Sequence, residues 1–304
     1  MGRDALLSHI FTEIKKGKHV LLTGRTGLGK TTILEALHDG FLIKGSRSIF
    51  VAQTNPMKPC LEDMVEELHR NSDLCLYEYE SDHFKAEMPW NKLRRTFRRM
   101  VIKDLCSIII RSLQDAAKKE TPPRKYIIFL DHLEKITPAQ EAFFSTLSHH
   151  ATLVGATDEK KPSKHLKRVW WLFKEIEIQP LEDKEIKEIA GLYIDKSGLL
   201  VEDRELFLTS LTKESRGNPL ACANILAEYQ GERVIQKSHI RQFHAEAGVK
   251  EIDVTPVFLL AMAVGIASRF LALGMNDASL YVLAGFMYAG FYFFRFFFYK
   301  ALKQ

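Results

Sequence analysis

The sequence has few cysteines for its length. Only four occur in 304 residues, without a CxxC pair or a paired spacing, at Cys60, Cys75, Cys106 and Cys222. This scarcity excludes a disulfide-stabilised secreted module and a zinc site built from cysteine pairs. We therefore expect reduced thiols in a cytosolic domain.

The first residues, MGRDALLSHIF, lack a basic segment followed by an apolar core. We expect no cleavable signal peptide, since such peptides need both features. Position 6 is Leu6 rather than Ser or Thr, which argues against N-terminal myristoylation.

A strong charge of either sign is also lacking. The chain is 46% hydrophobic and 27% charged, with a formal net charge of +5 and a pI near 8.9. This mild positive excess suits phosphates or anionic lipid but does not by itself indicate nucleic acid. Nearly all charge precedes Asp253, so the chain after it differs in character.

Five short β-branched or aromatic runs are typical of strands. Between them, apolar residues recur at three- and four-residue spacing, as in CLEDMVEELHR and the long segment at 90–119. Strands that alternate with helices predict a parallel sheet covered by helices on both faces. The predicted strands lie at 18–24, 48–54, 125–131, 151–157 and 174–180. From Leu181 to about Lys250 we find helical patterns and no convincing strand, which predicts a smaller helical domain.

The segment GRTGLGKT fits the phosphate-loop pattern GxxxxGK[ST] and stands between an apolar strand and a helical pattern. Its glycines allow the backbone N–H groups to wrap around phosphates. Lys30 is expected to meet the β- and γ-phosphates, and Thr31 to bind Mg²⁺. The predicted nucleotide-contacting residues of this loop are Gly24, Arg25, Thr26, Gly27, Leu28, Gly29, Lys30, Thr31 and Thr32.

A second signal follows about a hundred residues later, where the apolar strand YIIFLD ends in Asp131. Nucleotide hydrolases place at this position the aspartate that orients the magnesium ion. We therefore expect Asp131 to be a metal-binding and catalytic residue, with ATP and Mg²⁺ as the bound cofactors.

With these motifs, residues 2–247 resemble P-loop NTPases of the AAA+ and STAND kind, especially the archaeal-ATPase and replication-initiator-like branches. The resemblance implies that Gly2 and Arg3 contact the adenine base. It also implies that Thr157 or Asp158, in the segment LVGATD, is the polar residue near the γ-phosphate.

The segment ESRGNPLACANIL is similar to the lid motif of the same group. The resemblance implies that either Arg216 or the turn formed by Gly217, Asn218 and Pro219 closes on the nucleotide.

Two positions depart from the family pattern. Many of these ATPases carry Glu directly after the strand aspartate, whereas this chain has His132 there and Glu134 two residues further on. Either hydrolysis is slow or Glu134 polarises the attacking water. Leu172 stands where the family carries an arginine finger, and Arg168 is either its nearest substitute or a solvated helix residue.

The segment KLRRTFRRMVIK is strongly basic, with an apolar stripe of Leu93, Phe97 and Met100. DNA phosphates and anionic lipid headgroups are both possible partners for such a helix. The alternative is an exposed charged face balanced by the acidic segment at 77–82. The cations are Lys92, Arg94, Arg95, Arg98, Arg99 and Lys103.

The chain after Asp253 carries two nearly unbroken apolar runs, at 254–273 and 280–299. Each is about 20 residues long, enough for a helix that crosses a hydrocarbon core of roughly 30 Å. They predict an antiparallel transmembrane hairpin, the alternative being a helical pair inside a soluble core. Lys and Arg flank the outer ends but not the turn, so both ends should face the cytoplasm.

The expected fold class is α/β. It comprises a P-loop NTPase domain with a parallel sheet sandwiched by helices at 1–180, a small helical lid at 181–250 and the transmembrane hairpin at 254–299. We expect an integral protein of the bacterial inner membrane, with the ATPase domain cytoplasmic and with ATP, membrane lipid, a second copy of the chain and an unknown protein as partners.

The expected function is that of a membrane-anchored ATPase whose nucleotide state controls assembly and the hairpin, for instance as a bacterial defence effector. The competing function is a membrane-tethered ATPase that handles nucleic acid, resembling initiator or transposition-regulator ATPases. A scaffold that binds ATP without turning it over is the third alternative.

Overall fold

The computed structural model describes residues 3–81, 84–119, 125–160, 166–229, 234–235 and 270. The chain divides into two compact units, 1–247 and 248–304. All the structure below belongs to the first unit.

The predicted hairpin at 254–299 lies outside the described residues, apart from Phe270, and its prediction stays open. In the part of the chain that the structure describes, no helix has the length and apolar character needed to cross a membrane. The predicted domain limits likewise remain predictions.

Helices and strands alternate through most of the described chain. The helices are α1 (Asp4–Lys15), α2 (Lys30–Ile43), α3 (Met57–Arg70), α4 (Trp90–Phe97), α5 (Ile102–Lys118), α6 (Glu141–His150), α7 (Lys167–Trp171), α8 (Asp183–Ser197), α9 (Arg204–Ser215) and α10 (Pro219–Glu228). The strands are β1 (Val20–Thr23), β2 (Ser48–Val51), β3 (Tyr126–Leu130), β4 (Ala151–Thr157), β5 (Lys174–Glu177), β6 (Leu200–Val201) and β7 (Val234–Ile235).

The first five strands form one parallel sheet in the order β2-β3-β4-β1-β5. Each lies inside one of the five segments that the sequence predicts as strands, so the predicted parallel α/β sheet is confirmed. Thr23 at the end of β1 is in register with Thr157 at the end of β4. The carboxyl ends of these strands therefore meet at one edge, where ligands bind in open parallel sheets.

Helices cover both faces of the sheet. Successive side chains of a strand point to opposite faces and therefore enter different cores. On β1, Leu21 belongs to a core shared with α3, α5 and α6. Its neighbours Val20 and Leu22 belong to a second core shared with α1 and α2. This burial on both sides explains why the three successive residues Val20, Leu21 and Leu22 are all apolar.

The long segment at 90–119, whose apolar spacing is helical, forms two helices. It divides into α4 and α5, with a turn at 98–101 between them. Phe97, at the end of α4, packs edge-on against Phe84, with 5.2 Å between ring centroids. Both helices also pack against α3, α5 more extensively than α4. The two helices thus share a partner, and the turn at 98–101 separates them.

A third core holds α8, α9 and α10 together around Ile186, Phe207 and Leu211. The chain of this helical part also forms the short parallel pair β6 and β7, so the expectation that no strand follows Leu181 was wrong. Strands of two residues carry no alternation of polarity, which is why the sequence pattern missed them.

Candidate functional site

The phosphate loop connects β1 to α2 with backbone conformations that suit glycine. Gly27 has φ +84° and Gly29, at the N-terminal cap of α2, has φ +80°. A Cβ atom on Gly27 would lie 2.6 Å from Oδ1 of Asn218, so a side chain is excluded there by space as well as by φ. The loop leads into the positive end of α2, a favourable position for an anion.

Lys30 is the first residue of α2, and its side chain turns back into the loop. The residue is buried, and its Nζ donates to the carbonyl oxygens of Gly24 at 2.7 Å and Arg25 at 2.8 Å. Nζ also lies 2.6 Å from Oδ1 of Asp158. The lysine thus has its ammonium group held in place by oxygen atoms inside the loop.

Thr31 and Asp131 come together from two different elements. Asp131 follows β3 directly, is 4% exposed, and accepts a 2.6 Å hydrogen bond from the Thr31 hydroxyl through Oδ2. Its Oδ1 accepts from the backbone N–H of His132 at 2.8 Å. The predicted metal-binding pair is therefore adjacent in space, although it is separated by 100 residues.

The chemistry of this pair suits Mg²⁺, which does not require a site built entirely from protein side chains. Among the described residues, no group of three or more His, Cys, Asp and Glu could hold a metal ion. Magnesium usually keeps waters and takes only one or two carboxylates together with substrate phosphates. The hydroxyl of Thr31 and the carboxylate of Asp131 supply ligands of this kind.

His132 and Glu134 form a second polar pair beside Asp131. His132 has φ +55°, and its Nδ1 lies 2.9 Å from Oε1 of Glu134. The carbonyl of His132 accepts a 2.9 Å hydrogen bond from the hydroxyl of Thr54. Few non-glycine residues have a positive φ, and those that do are concentrated at functional sites. The loop after β3 is therefore held at both its side chains and its backbone.

These groups surround one cavity of about 400 Å³. Its lining brings together most of the predicted site, since Lys30, Thr31, Asp131, Glu134 and Thr157 all contribute to it. The complete lining is Thr26, Gly27, Gly29, Lys30, Thr31, Thr32, Asp131, His132, Glu134, Thr157, Asp158, Pro219 and Leu220.

Of the two candidates at the end of β4, Asp158 makes the contact with the phosphate loop. The Thr157 hydroxyl donates instead to the carbonyl of Glu159 at 2.8 Å. Asp158 accepts from the hydroxyl of Thr26 at 2.8 Å and pairs with Lys30. Burial raises the pKa of Asp158, but the hydrogen bonds from Lys30 and Thr26, together with the positive charge of Lys30, hold it below its ordinary value.

Several predicted residues do not line the cavity. Arg3 donates to the carbonyl oxygens of Leu28 and, at 3.1 Å, of Gln179, so it braces the loop from outside. Arg25 is exposed and contributes its carbonyl to Lys30, as Gly24 does. Leu28 is buried in the core shared with α1 and α2, and Gly2 lies outside the described residues.

Two contacts join the helical part to the phosphate loop, one of them from Asn218 of the predicted GNP turn. Nδ2 of Asn218 donates to the carbonyl of Thr26 at 3.0 Å, and the N–H of Leu220 to that of Gly27 at 3.3 Å. Pro219 follows Asn218 and lines the cavity. Arg216 is exposed at the end of α9 and does not line it. The GNP turn, rather than the arginine, therefore meets the loop.

The short helix α7 does not line the cavity, and two of its large side chains are exposed to solvent. Arg168 is exposed, and Trp171 is 84% exposed. Leu172, where the resemblance leads us to expect an arginine finger, is only partly buried. Neither Arg168 nor Trp171 contributes to the site within one copy of the chain.

The parallel sheet, the phosphate loop and the Thr31–Asp131 pair define a P-loop nucleoside triphosphatase. The family model of the AAA ATPase domain matches residues 1–157, and the chain belongs to this family. It is therefore a P-loop ATPase of the AAA+ kind, and the family implies nucleotide binding.

Other known proteins add little to this assignment. No curated protein matches the sequence. The structure of C. elegans PCH-2 is similar, with a TM-score of 0.47 and 11% sequence identity over 78% of this chain and 66% of that chain. The match thus spans just under two thirds of the C. elegans chain.

Proposed function

We propose that this protein is a membrane-anchored ATPase of the AAA+ and STAND kind whose nucleotide state controls self-assembly and, through it, a membrane-acting hairpin. The observation that carries the nucleotide part is the cluster of Lys30, Thr31 and Asp131 beside the phosphate loop. The match to the AAA ATPase domain supports the same activity.

Each residue of the cluster has a proposed role. Lys30 neutralises the β- and γ-phosphates, and Thr31 and Asp131 hold the metal ion. Bound Mg²⁺ supplies charge neutralisation at the phosphates. Glu134 accepts the proton of the attacking water, and His132 holds the Glu134 carboxylate in position through the 2.9 Å contact. This assignment places the base two residues beyond the usual family position.

Two features support control of assembly by the nucleotide. The lid contacts the phosphate loop through Asn218, so a change in the loop reaches the helical part directly. The exposed Trp171 and Arg168 are residue types that dominate protein interfaces. We propose that α7 contacts the nucleotide site of a second copy, where Arg168 serves as the arginine finger.

The membrane part rests on the two apolar runs at 254–273 and 280–299. We propose that they form the hairpin in the bacterial inner membrane, with the ATPase domain on the cytoplasmic side. An ATP-controlled hairpin suits an effector that acts on the bilayer, for instance in defence against phage.

The nucleotide part is tested with purified full-length protein in mild detergent. We expect Lys30→Ala to weaken ATP binding by about 10- to 100-fold, since a hydrogen bond to a charged group contributes about 1.5–3 kcal/mol. Lys213→Ala removes an exposed lysine of α9 and serves as the control. Parental affinity in Lys30→Ala would refute the phosphate-loop assignment.

The coupling to assembly and membrane is tested separately. We expect the oligomeric size of the parent, measured by light scattering, to change with ATP, and that of Lys30→Ala to stay constant. A chain that stops at Asp253 should be soluble and bind ATP. It should lose the proposed effect on the membrane in cells, because it lacks the hairpin. If the truncated chain keeps full cellular activity, the effector role is contradicted and an ATPase that handles nucleic acid is favoured. Stimulation of ATP turnover by DNA would support that alternative.

A further inference from the structure

The junction of α4 and α5 combines positive charge with exposed apolar side chains. We name this surface the basic corner, and it is separate from the nucleotide site. It consists of Lys92, Arg94, Arg95, Val101, Ile102 and Lys103, with Arg98 and Arg99 in the turn between the helices.

The packing of α4 explains why its cations point to solvent. Leu93 and Phe97 are fully buried in the core with α3 and α5, and Trp90 stacks on Phe97 with 5.6 Å between ring centroids. Since these positions repeat at helical spacing, the residues between them lie on the opposite face. All six cations of the basic corner are exposed.

The cations are largely without internal partners. In the described ranges, no acidic side chain forms an ion pair with Lys92, Arg95, Arg98, Arg99 or Lys103, and only Arg94 interacts with an acid, Asp63. Lys58 adds a further positive charge, since its Nζ donates to the carbonyl of Arg98 at 2.6 Å. Within the described part of the acidic segment at 77–82, Glu78 pairs with Arg111 and not with a cation of the basic corner.

Two apolar residues stand at the tip of the basic corner. Val101 is 61% exposed and Ile102 is 45% exposed, at the start of α5. Ile102 and Lys103 also border a cavity of about 700 Å³, whose walls include Cys106, Ile110 and Phe143. The apolar surface beside the cations is therefore larger than the two exposed side chains.

A partner that suits this surface must offer negative charge and apolar groups together. Anionic lipid bilayers do so, because headgroups attract Lys and Arg while aliphatic side chains enter the boundary with the acyl chains. Single-stranded nucleic acid is a poorer match, since it is held by stacking on exposed aromatic rings. Here Trp90 and Phe97 are turned inward against each other.

We propose that the basic corner binds the anionic surface of a lipid bilayer, with Val101 and Ile102 entering the headgroup region. This contact goes beyond the proposed anchoring by the hairpin and does not depend on it. It holds the ATPase domain against the membrane in an orientation set by α4 and α5.

The test uses the full-length protein reconstituted with vesicles of phosphatidylcholine alone and with vesicles that also contain phosphatidylglycerol. Amide hydrogen exchange at 98–103 is measured by mass spectrometry. We expect exchange to slow on the order of tenfold on the anionic vesicles only, as for a corner bound about 90% of the time. High salt should reverse the change, because exposed charges are screened.

Two variants and one control separate the contributions. The triple variant Arg95→Gln, Arg98→Gln, Arg99→Gln and the double variant Val101→Ser, Ile102→Ser should both lose the protection. The control Lys184→Gln, Lys196→Gln, Lys213→Gln removes the same charge from exposed positions of the lid and should keep it.

The proposal is overturned if the parent exchanges equally on both kinds of vesicle, or if the Val101 and Ile102 variant keeps full protection. Protection by added DNA on phosphatidylcholine vesicles, without an effect of phosphatidylglycerol, assigns the surface to nucleic acid instead. Flotation of the protein with phosphatidylcholine vesicles tests membrane insertion of the hairpin alone, because these vesicles carry no net negative charge for the basic corner to bind. Absence of hairpin insertion and absence of binding by the basic corner therefore give different results.

Discussion

The ammonium nitrogen of Lys30 lies 2.6 Å from a carboxylate oxygen of Asp158. The same carboxylate accepts the Thr26 hydroxyl at 2.8 Å, so an acid from the end of β4 bridges both sides of the phosphate loop. We infer that it competes with the negative charge of a nucleotide for the same lysine.

We expect Asp158→Asn to raise the affinity for ATP several-fold, because the substitution removes an anion that pairs with Lys30 and repels phosphate. The measurement is nucleotide binding at fixed Mg²⁺ rather than turnover. Asp39→Asn, which removes an exposed carboxylate from α2, serves as the control. Unchanged or weaker binding in Asp158→Asn would show that the carboxylate does not compete with the nucleotide.

The pair of His132 and Glu134 leads to a prediction about turnover. Glu134→Gln should bind ATP and retain it, because an amide keeps a hydrogen bond to His132 but cannot accept the proton of water. His132→Ala should lower turnover less, since it removes only the group that positions Glu134. Single-turnover hydrolysis of radiolabelled ATP measures both effects. Equal turnover in Glu134→Gln and the parent would place the base elsewhere.

Asn218 has two roles that substitution can separate. Its Oδ1 caps α10 by accepting from Leu220 and Ala221, and its Nδ2 reaches the carbonyl of Thr26. Asn218→Ser keeps a capping oxygen but loses the bond to the loop, whereas Asn218→Ala loses both. We expect ATP affinity to fall similarly in both variants, and unfolding free energy to fall by about 1 kcal/mol more in Asn218→Ala. Parental ATP affinity in Asn218→Ser would argue against a role for the lid contact.

Acid should weaken the attachment of α1 to the sheet. Glu13 is 4% exposed, and hydrogen bonds from Lys174, Lys18 and Lys16 hold its pKa far below the ordinary value. A carboxyl with a depressed folded-state pKa stabilises the protein above its unfolded-state pKa, and this stabilisation declines as pH falls toward the folded-state value.

We therefore expect Glu13→Gln to unfold at a lower temperature than the parent near neutral pH, with the difference shrinking below about pH 4.5. Tryptophan fluorescence of the full-length protein in detergent follows the transition. Glu188→Gln, at an exposed position of α8, is the matched control. A difference that is constant over the whole pH range would contradict this account.

The main features of the nucleotide-binding fold could be predicted from local patterns. Apolar runs such as YIIFL indicated strands because burial on both sheet faces requires an unbroken run. GRTGLGKT indicated the phosphate loop because its glycines allow positive φ at three positions and lysine is the cation of the motif. The break between α4 and α5 was not predictable in this way, since the apolar spacing continues across residues 98–101, where the structure has a turn.

The amino-acid sequence alone thus indicated the class of fold and singled out Lys30, Thr31 and Asp131 as candidate site residues, because helices, strands and the phosphate loop depend on residues close together in the chain. The tertiary structure decided that Asp158 rather than Thr157 reaches Lys30, and that Asn218 rather than Arg216 meets the loop. Neighbouring side chains at a strand or helix end point in different directions, and the Asn218 contact joins residues 192 positions apart. Periodicity along the chain carries no information about such contacts, because packing of the lid and the sheet edge sets their geometry.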